Sequence, residues 1–222
     1  MHSVLGWWRE AGVDGMIDEE PRDWLRPAKP ATVVIADPPV TALPATLAAL
    51  DARLADIAFP SLGAQRLGAT GDPASGLMMI ADMPEPGDVE AGQIFAGDHG
   101  RLFDRMLAAI GRDRASIYLA TIAPARVAGK LDTASAETLK ALALQHIALA
   151  QPRMLLVIGQ GACAMLLGLD LPAARGRLHQ LNHAGGITPA IATIAPRYLL
   201  KQPATKADAW KDLRLMLEEL NR

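Results

Sequence analysis

Four short, largely apolar runs punctuate the chain: Val33 to Ala36, Leu77 to Ala81, Ile117 to Ala123 and Met154 to Ile158. Each is bounded by turn residues and is too short for a helix, and Ala190 to Ile194 repeats the character more weakly. Strands covered by helices on both faces read this way, because neither face is left to be polar. Between the runs, apolar positions recur at helical spacing. One stripe is Leu102, Phe103, Met106, Leu107 and Ile110, stopping at Gly111 as a C-terminal cap; another is Leu139, Leu142, Ala143 and Ile147, ending before Pro152. Trp210, Leu213, Leu217 and Leu220 predict a closing amphipathic helix, and Ala45 to Ile57 predicts one more. Strands alternating with helices predict an α/β fold, a three-layer α/β/α sandwich with a mainly parallel central sheet. Ahead of it, Val4 to Ile17 reads as a short helix and Asp18 to Pro30 as a linker. The expected organisation is therefore an N-terminal helix and arm over residues 1–30 and an α/β domain over residues 31–222.

Composition narrows the class. Of 222 residues half are apolar and 21% charged, which excludes a disordered or fibrous chain. No apolar stretch nears the ~20 residues a membrane-spanning helix needs, and residues 1–8 lack the pattern of a secretory signal. With a single cysteine there is no internal disulfide. A soluble, cytoplasmic protein without membrane partners is the expectation. The charge is uneven: residues 151–222 hold 9 Lys/Arg against 5 Asp/Glu, whereas residues 1–150 hold 13 against 19. A polyanion would meet the C-terminal third first.

In open α/β sheets ligands gather beyond the carboxyl ends of the strands. There the second run leads into Asp82-Met83-Pro84-Glu85-Pro86-Gly87-Asp88 and then Gly92-Gln93-Ile94-Phe95-Ala96-Gly97, a stiff loop able to approach a ligand closely. Gly159 to Ala164 fits G-x-G-x-x-A, but no acid follows at the distance a dinucleotide site requires, so tight strand-to-helix packing is expected there, with Cys163 a small buried side chain. His179 and His183 are four apart, yet Arg177 to Gly186 reads as a loop without a third ligand, so no metal and no cofactor is expected. His99 reads as a solvated first-turn residue. Arg175-Gly176-Arg177 and Pro196-Arg197-Tyr198-Leu199-Leu200-Lys201 are basic turns suited to phosphate contacts.

The order of these pieces resembles the uracil-DNA glycosylase superfamily, most closely its iron–sulfur branch, family four. That branch carries GEAPG-x-x-E-D, then G-x-P-F-x-G, then a G-x-L-L-x-x-M-L-x-x-I-G helix. The counterparts are Ala81 to Glu85 with Asp88, Gly92 to Gly97, and Gly100 to Gly111. Arg175-Gly176 is similar to the family's Arg-Gly turn, and Leu155 to Leu167 to its strand-Gly-x-x-Ala-helix segment. The closing T-x-H-P-x-Y-L-L and K-x-x-x-W-x-D-L patterns are matched by Thr193 to Leu200 and Lys206 to Leu213. The likeness runs from about Phe59 to the C-terminus.

The resemblance implies a fold and a chemistry. Such glycosylases extrude uracil, stack it on an aromatic ring, read its edge with an amide and stabilise the departing anion. Mapped residue by residue, the carboxylate position holds Asp82, with Asp88 following, and the stacking ring is Phe95. Pro84 is retained, the amide position falls on Thr121, and the histidine of H-P-x-Y falls on Ala195. One cysteine cannot supply the family's four cluster thiolates. The expectation is a glycosylase-like protein that binds DNA, single- or double-stranded, through Arg175, Gly176, Arg177, Pro196, Arg197 and Lys201, with weak or no uracil excision. The alternatives are an active DNA N-glycosylase on another damaged base, with Asp82 and Asp88 or His99 as substitutes, and a nucleotide-binding or interaction protein reusing the fold. Retention for binding a protein partner is left open, with the partner unknown.

Overall fold

The computed structural model describes residues 43–221, within the unit Ala42–Arg222. The expectations for Val4 to Ile17, Asp18 to Pro30 and the run Val33 to Ala36 lie outside the described residues. The sheet holds β1 (Thr70–Gly71), β2 (Leu77–Ala81), β3 (Tyr118–Thr121), β4 (Met154–Ile158), β5 (His179–His183) and β6 (Gly186–Thr193). Their order is β1-β3-β2-β4-β6-β5, with β2, β3, β4 and β6 mutually parallel and the two edge strands antiparallel. The continuous apolar runs thus form the strands buried on both faces, as their lack of alternation requires.

The helices are α1 (Leu47–Asp56), α2 (Asp88–Ala91), α3 (Gly97–Ala109), α4 (Thr133–Ala150), α5 (Gln160–Leu167), α6 (Leu171–Ala174), α7 (Pro196–Lys201) and α8 (Lys206–Leu220). They divide over the two faces of the sheet. Met78, Ile80, Tyr118, Ala120, Leu155 and Val157 pack with α1, α4 and α5 through Leu50, Leu139, Leu142, Ile147 and Cys163. Their strand neighbours Leu77, Met79, Leu119, Leu156 and Ile158 point the other way, onto Phe103 and Leu107 of α3 and Leu213 and Met216 of α8. Each fully buried side chain of this size contributes about 1.5–3 kcal/mol, so the two layers account for the three-layer sandwich. Gly111 takes a left-handed φ of 69° after α3, and its N–H and that of Arg112 return to Ala108 and Leu107, the cap its position implies.

Two details differ from expectation. Residues 179–183 are not loop but an edge strand in a hairpin with β6; only Leu181 is buried among them, so an exposed, polar edge concealed the strand from an apolar-run criterion. In α8 the stripe turns by one position: Trp210 is 40% exposed, and the inward face is Ala209, Asp212, Leu213, Met216 and Leu220. No helix among the described residues is long and apolar enough to cross a membrane.

Candidate functional site

The four parallel strands end on one side of the molecule, and the loops that leave them build the site. After β2, Asp82 accepts the Met83 N–H at 3.0 Å. Its carboxylate lies against the first turn of α5, where a Cβ on Gly161 would fall 2.5 Å from Asp82 Oδ2. The missing side chain at Gly161 therefore leaves room for the Asp82 carboxylate.

Asp88 is fully buried and accepts three backbone N–H groups: Glu85 at 2.8 Å, Phe95 at 2.9 Å and Ala96 at 2.7 Å. These bonds tie both ends of the loop to one carboxylate. Phe95 has a left-handed φ of 54°, unfavourable for a residue with a Cβ. It is held there from both sides: Asp88 takes its N–H, and Arg114 donates to the carbonyls of Ile94 and Phe95 at 2.6 and 2.8 Å. The Phe95 ring is 1% exposed and lies 4.9 Å from the ring of Phe103. A base could stack on it only after the loop had moved.

Glu85 is 4% exposed, and its carboxylate meets Arg197 of α7, with Nε–Oε1 at 3.3 Å and Nη1–Oε2 at 3.4 Å. Burial pushes the Glu85 carboxyl above its ordinary range; Arg197 and His99 oppose the shift, and Asp82 and Asp88 add to it. Nearby, Arg126 donates to the Pro84 carbonyl at 3.1 Å. Asp82, Glu85, Asp88, His99 and Arg197 thus share one electrostatic neighbourhood.

On the other flank, two residues past the end of β6, Ala195 caps the start of α7 and presents a methyl group where a cleft of about 350 Å³ opens. Gly159, Gln160, Arg175, Arg197 and Tyr198 also line it. Arg175 is anchored: its Nε donates to Asp212 Oδ2 at 2.7 Å, and the Thr193 hydroxyl donates to the same oxygen at 3.1 Å. Burial pushes the Asp212 carboxyl up while Arg175 and Thr193 pull it down. The Arg-Gly turn and the aspartate of the closing helix pattern are therefore partners. Arg177 and Lys201 are exposed, and Pro196 is buried at the start of α7.

The structure does not gather every expected residue. Thr121, 6% exposed, lines a small cavity of about 50 Å³ with Asp51, Pro124 and His146, whereas Ala195 lines the large cleft. Sequence reasoning singles out neither Glu85 nor Asp212. Glu85 carries a signal, a charged residue where the family's motif has its last glycine. Asp212 carries one in the K-x-x-x-W-x-D-L pattern, whose acid helix periodicity alone leaves without a role.

The donor set does not suit an iron–sulfur cluster. Cys163 is the chain's single cysteine, buried in α5, and its thiol is pushed up by burial and by Asp170. Among the described residues no three His, Cys, Asp or Glu side chains are grouped to hold a metal ion. His179 and His183 are engaged singly, with the Ala174 carbonyl at 2.7 Å and the Thr188 hydroxyl at 2.8 Å. The segment Phe59 to Gly71 packs instead against the chain after β3: Leu62 bridges to Val127, Gly63 donates to the Arg126 carbonyl and Leu67 to that of Pro124.

Comparison with known proteins agrees with this geometry. A type-4 uracil-DNA glycosylase of Pyrobaculum aerophilum is 25% identical over 154 residues, covering 65% of this chain and 78% of the relative. The family model of the uracil DNA glycosylase superfamily matches residues 69–214, from β1 into α8 and across every loop just described. The chain belongs to the uracil DNA glycosylase superfamily.

Proposed function

We propose that the protein binds DNA at the carboxyl ends of its strands and excises uracil weakly or not at all. One observation carries this reading: at the turn from β6 into α7 the cleft is bordered by Ala195, whose methyl offers no donor to an anion leaving its sugar. Loss of one preorganised anion stabiliser typically lowers the rate by two to three orders of magnitude. Thr121 supports the same conclusion, since a hydroxyl cannot present the paired donor and acceptor that distinguish uracil from cytosine. The exposed cations Arg177, Arg197 and Lys201 support DNA as the ligand, through phosphate contacts. We further propose that the chain folds without a four-thiolate cluster, because its one cysteine lies in α5.

A second reading, an N-glycosylase acting on another damaged base, is favoured by the Glu85 carboxyl, buried beside Asp82 and His99 with its affinity for protons raised. A carboxyl so placed is a candidate general acid. An excision assay over uracil, hypoxanthine and xanthine in single- and double-stranded oligonucleotides, run with a binding assay on the same strands, separates the two. Binding without excision is expected; turnover of hypoxanthine or xanthine favours the second reading, and rapid turnover of uracil contradicts the first.

A further inference from the structure

Two arginines line one cleft and are held in opposite ways. Arg175 meets Asp212 at 2.7 Å, with its side chain 19% and its partner 1% exposed. Arg197 keeps 44% of its side chain exposed and touches Glu85 through two long contacts of 3.3 and 3.4 Å. A firm guanidinium–carboxylate fork closes to about 2.7–2.9 Å. Glu85 cannot follow its partner outward, because its backbone N–H is tied to Asp88 and its side chain is 5% exposed. The pair also spans two clefts: Arg197 borders the one beside Ala195, and Glu85 borders another, of about 460 Å³, lined by Gly63, Gln65 and Arg126.

We propose that Glu85 is a positioning residue that holds Arg197 as an internal stand-in for phosphate, so that DNA must displace the Glu85 carboxylate to gain this guanidinium. The proposal rests on the DNA-binding reading above and adds its regulation. A phosphodiester presents the same two-oxygen edge to the fork as a carboxylate does. The exchange needs no buried cation to be exposed, since Arg197 already faces solvent. It is opposed on the other side: without Arg197, Glu85 keeps Asp82 and Asp88 as like-charged neighbours and only His99 as a counter-charge. The latch therefore sets a threshold that a strand with many phosphates crosses more readily than a single anion.

The test is anisotropy binding of a labelled oligothymidylate of about 16 nucleotides, at several salt concentrations, to wild type, Glu85→Gln, Arg197→Gln and the double variant. Glu85→Gln is expected to bind about five-fold tighter, as befits one partly exposed ion pair. Its salt slope should steepen by about one, for one more phosphate neutralised. Arg197→Gln is expected to weaken binding, and in that background Glu85→Gln should gain nothing. An equal gain in both backgrounds would mean a general charge effect and overturn the latch. Binding by wild type with no gain in Glu85→Gln would overturn the latch alone, whereas no binding by any variant would overturn the DNA-binding reading with it. Melting curves accompany each variant, and Glu85→Ala carries the same expectation should Glu85→Gln fail to fold.

Discussion

The loops that leave β2 and β6 are built to different standards. In the first, one buried carboxylate accepts three backbone N–H groups and one guanidinium grips two carbonyls, while Gly100 sits where a Cβ would collide with the Phe95 carbonyl oxygen. In the second, the loop after β6 offers the methyl of Ala195, and the next polar group, Arg197, is held by long contacts to Glu85. The difference separates two kinds of constraint. Residues that shape the site are wired into the fold and cannot change singly without cost. Thr121 and Ala195 stand instead at the end of β3 and just past β6, where the fold accepts a small side chain.

That contrast can be broken first at its strongest point. Asp88→Ala leaves three N–H groups without their acceptor and should lower unfolding stability by about 3–5 kcal/mol in denaturant titrations. Arg175→Gln, which leaves Asp212 buried without its cation, should lose about 3 kcal/mol. Arg197→Gln, whose guanidinium is 44% exposed and meets the buried Glu85 only through long contacts, should lose less, about 1–2 kcal/mol. Equal losses at the two arginines would erase the distinction drawn between anchored and available cations.

A pH-dependent effect lies on the other face of the sheet, where His146 is 2% exposed and its Nε2 lies 2.8 Å from the Tyr118 hydroxyl. Burial holds its pKa down to about 4 from 6.5, so the fold favours the neutral ring, hydrogen-bonded to the tyrosine hydroxyl. Because the folded value is depressed, this contribution is intact above pH 6.5 and is lost as the pH falls toward 4. At about 1.4 kcal/mol per pKa unit the loss is at most about 3 kcal/mol, reached below both values and only partial at pH 5. His146→Gln should flatten that part of the stability profile, leaving the carboxylate titrations below it.

The sheet was legible because its strands are buried on both sides: Leu77 to Ala81 and Met154 to Ile158 coincide with β2 and β4 to the residue. β5 escaped because only Leu181 of its five residues is buried, and Trp210 misled because an aromatic at helical spacing need not face the core. Of the candidate site, the motifs located the loops but not the pairings. Glu85 and Arg197 are 112 residues apart in sequence, and no periodicity joins them; only the folded chain brings carboxylate and guanidinium together. The same holds for Arg175 and Asp212, which two separate motifs contain.

The central claim, that the scaffold outlasts the chemistry, is tested most directly by single-turnover uracil release from a single-stranded oligonucleotide at protein concentrations that saturate binding. The wild-type protein is expected to hold the strand and leave the base attached. Ala195→His, which places an anion-stabilising side chain beside Gly159, should raise release above that background. Rapid release by the bound wild-type protein, undiminished against the variant, would contradict the account.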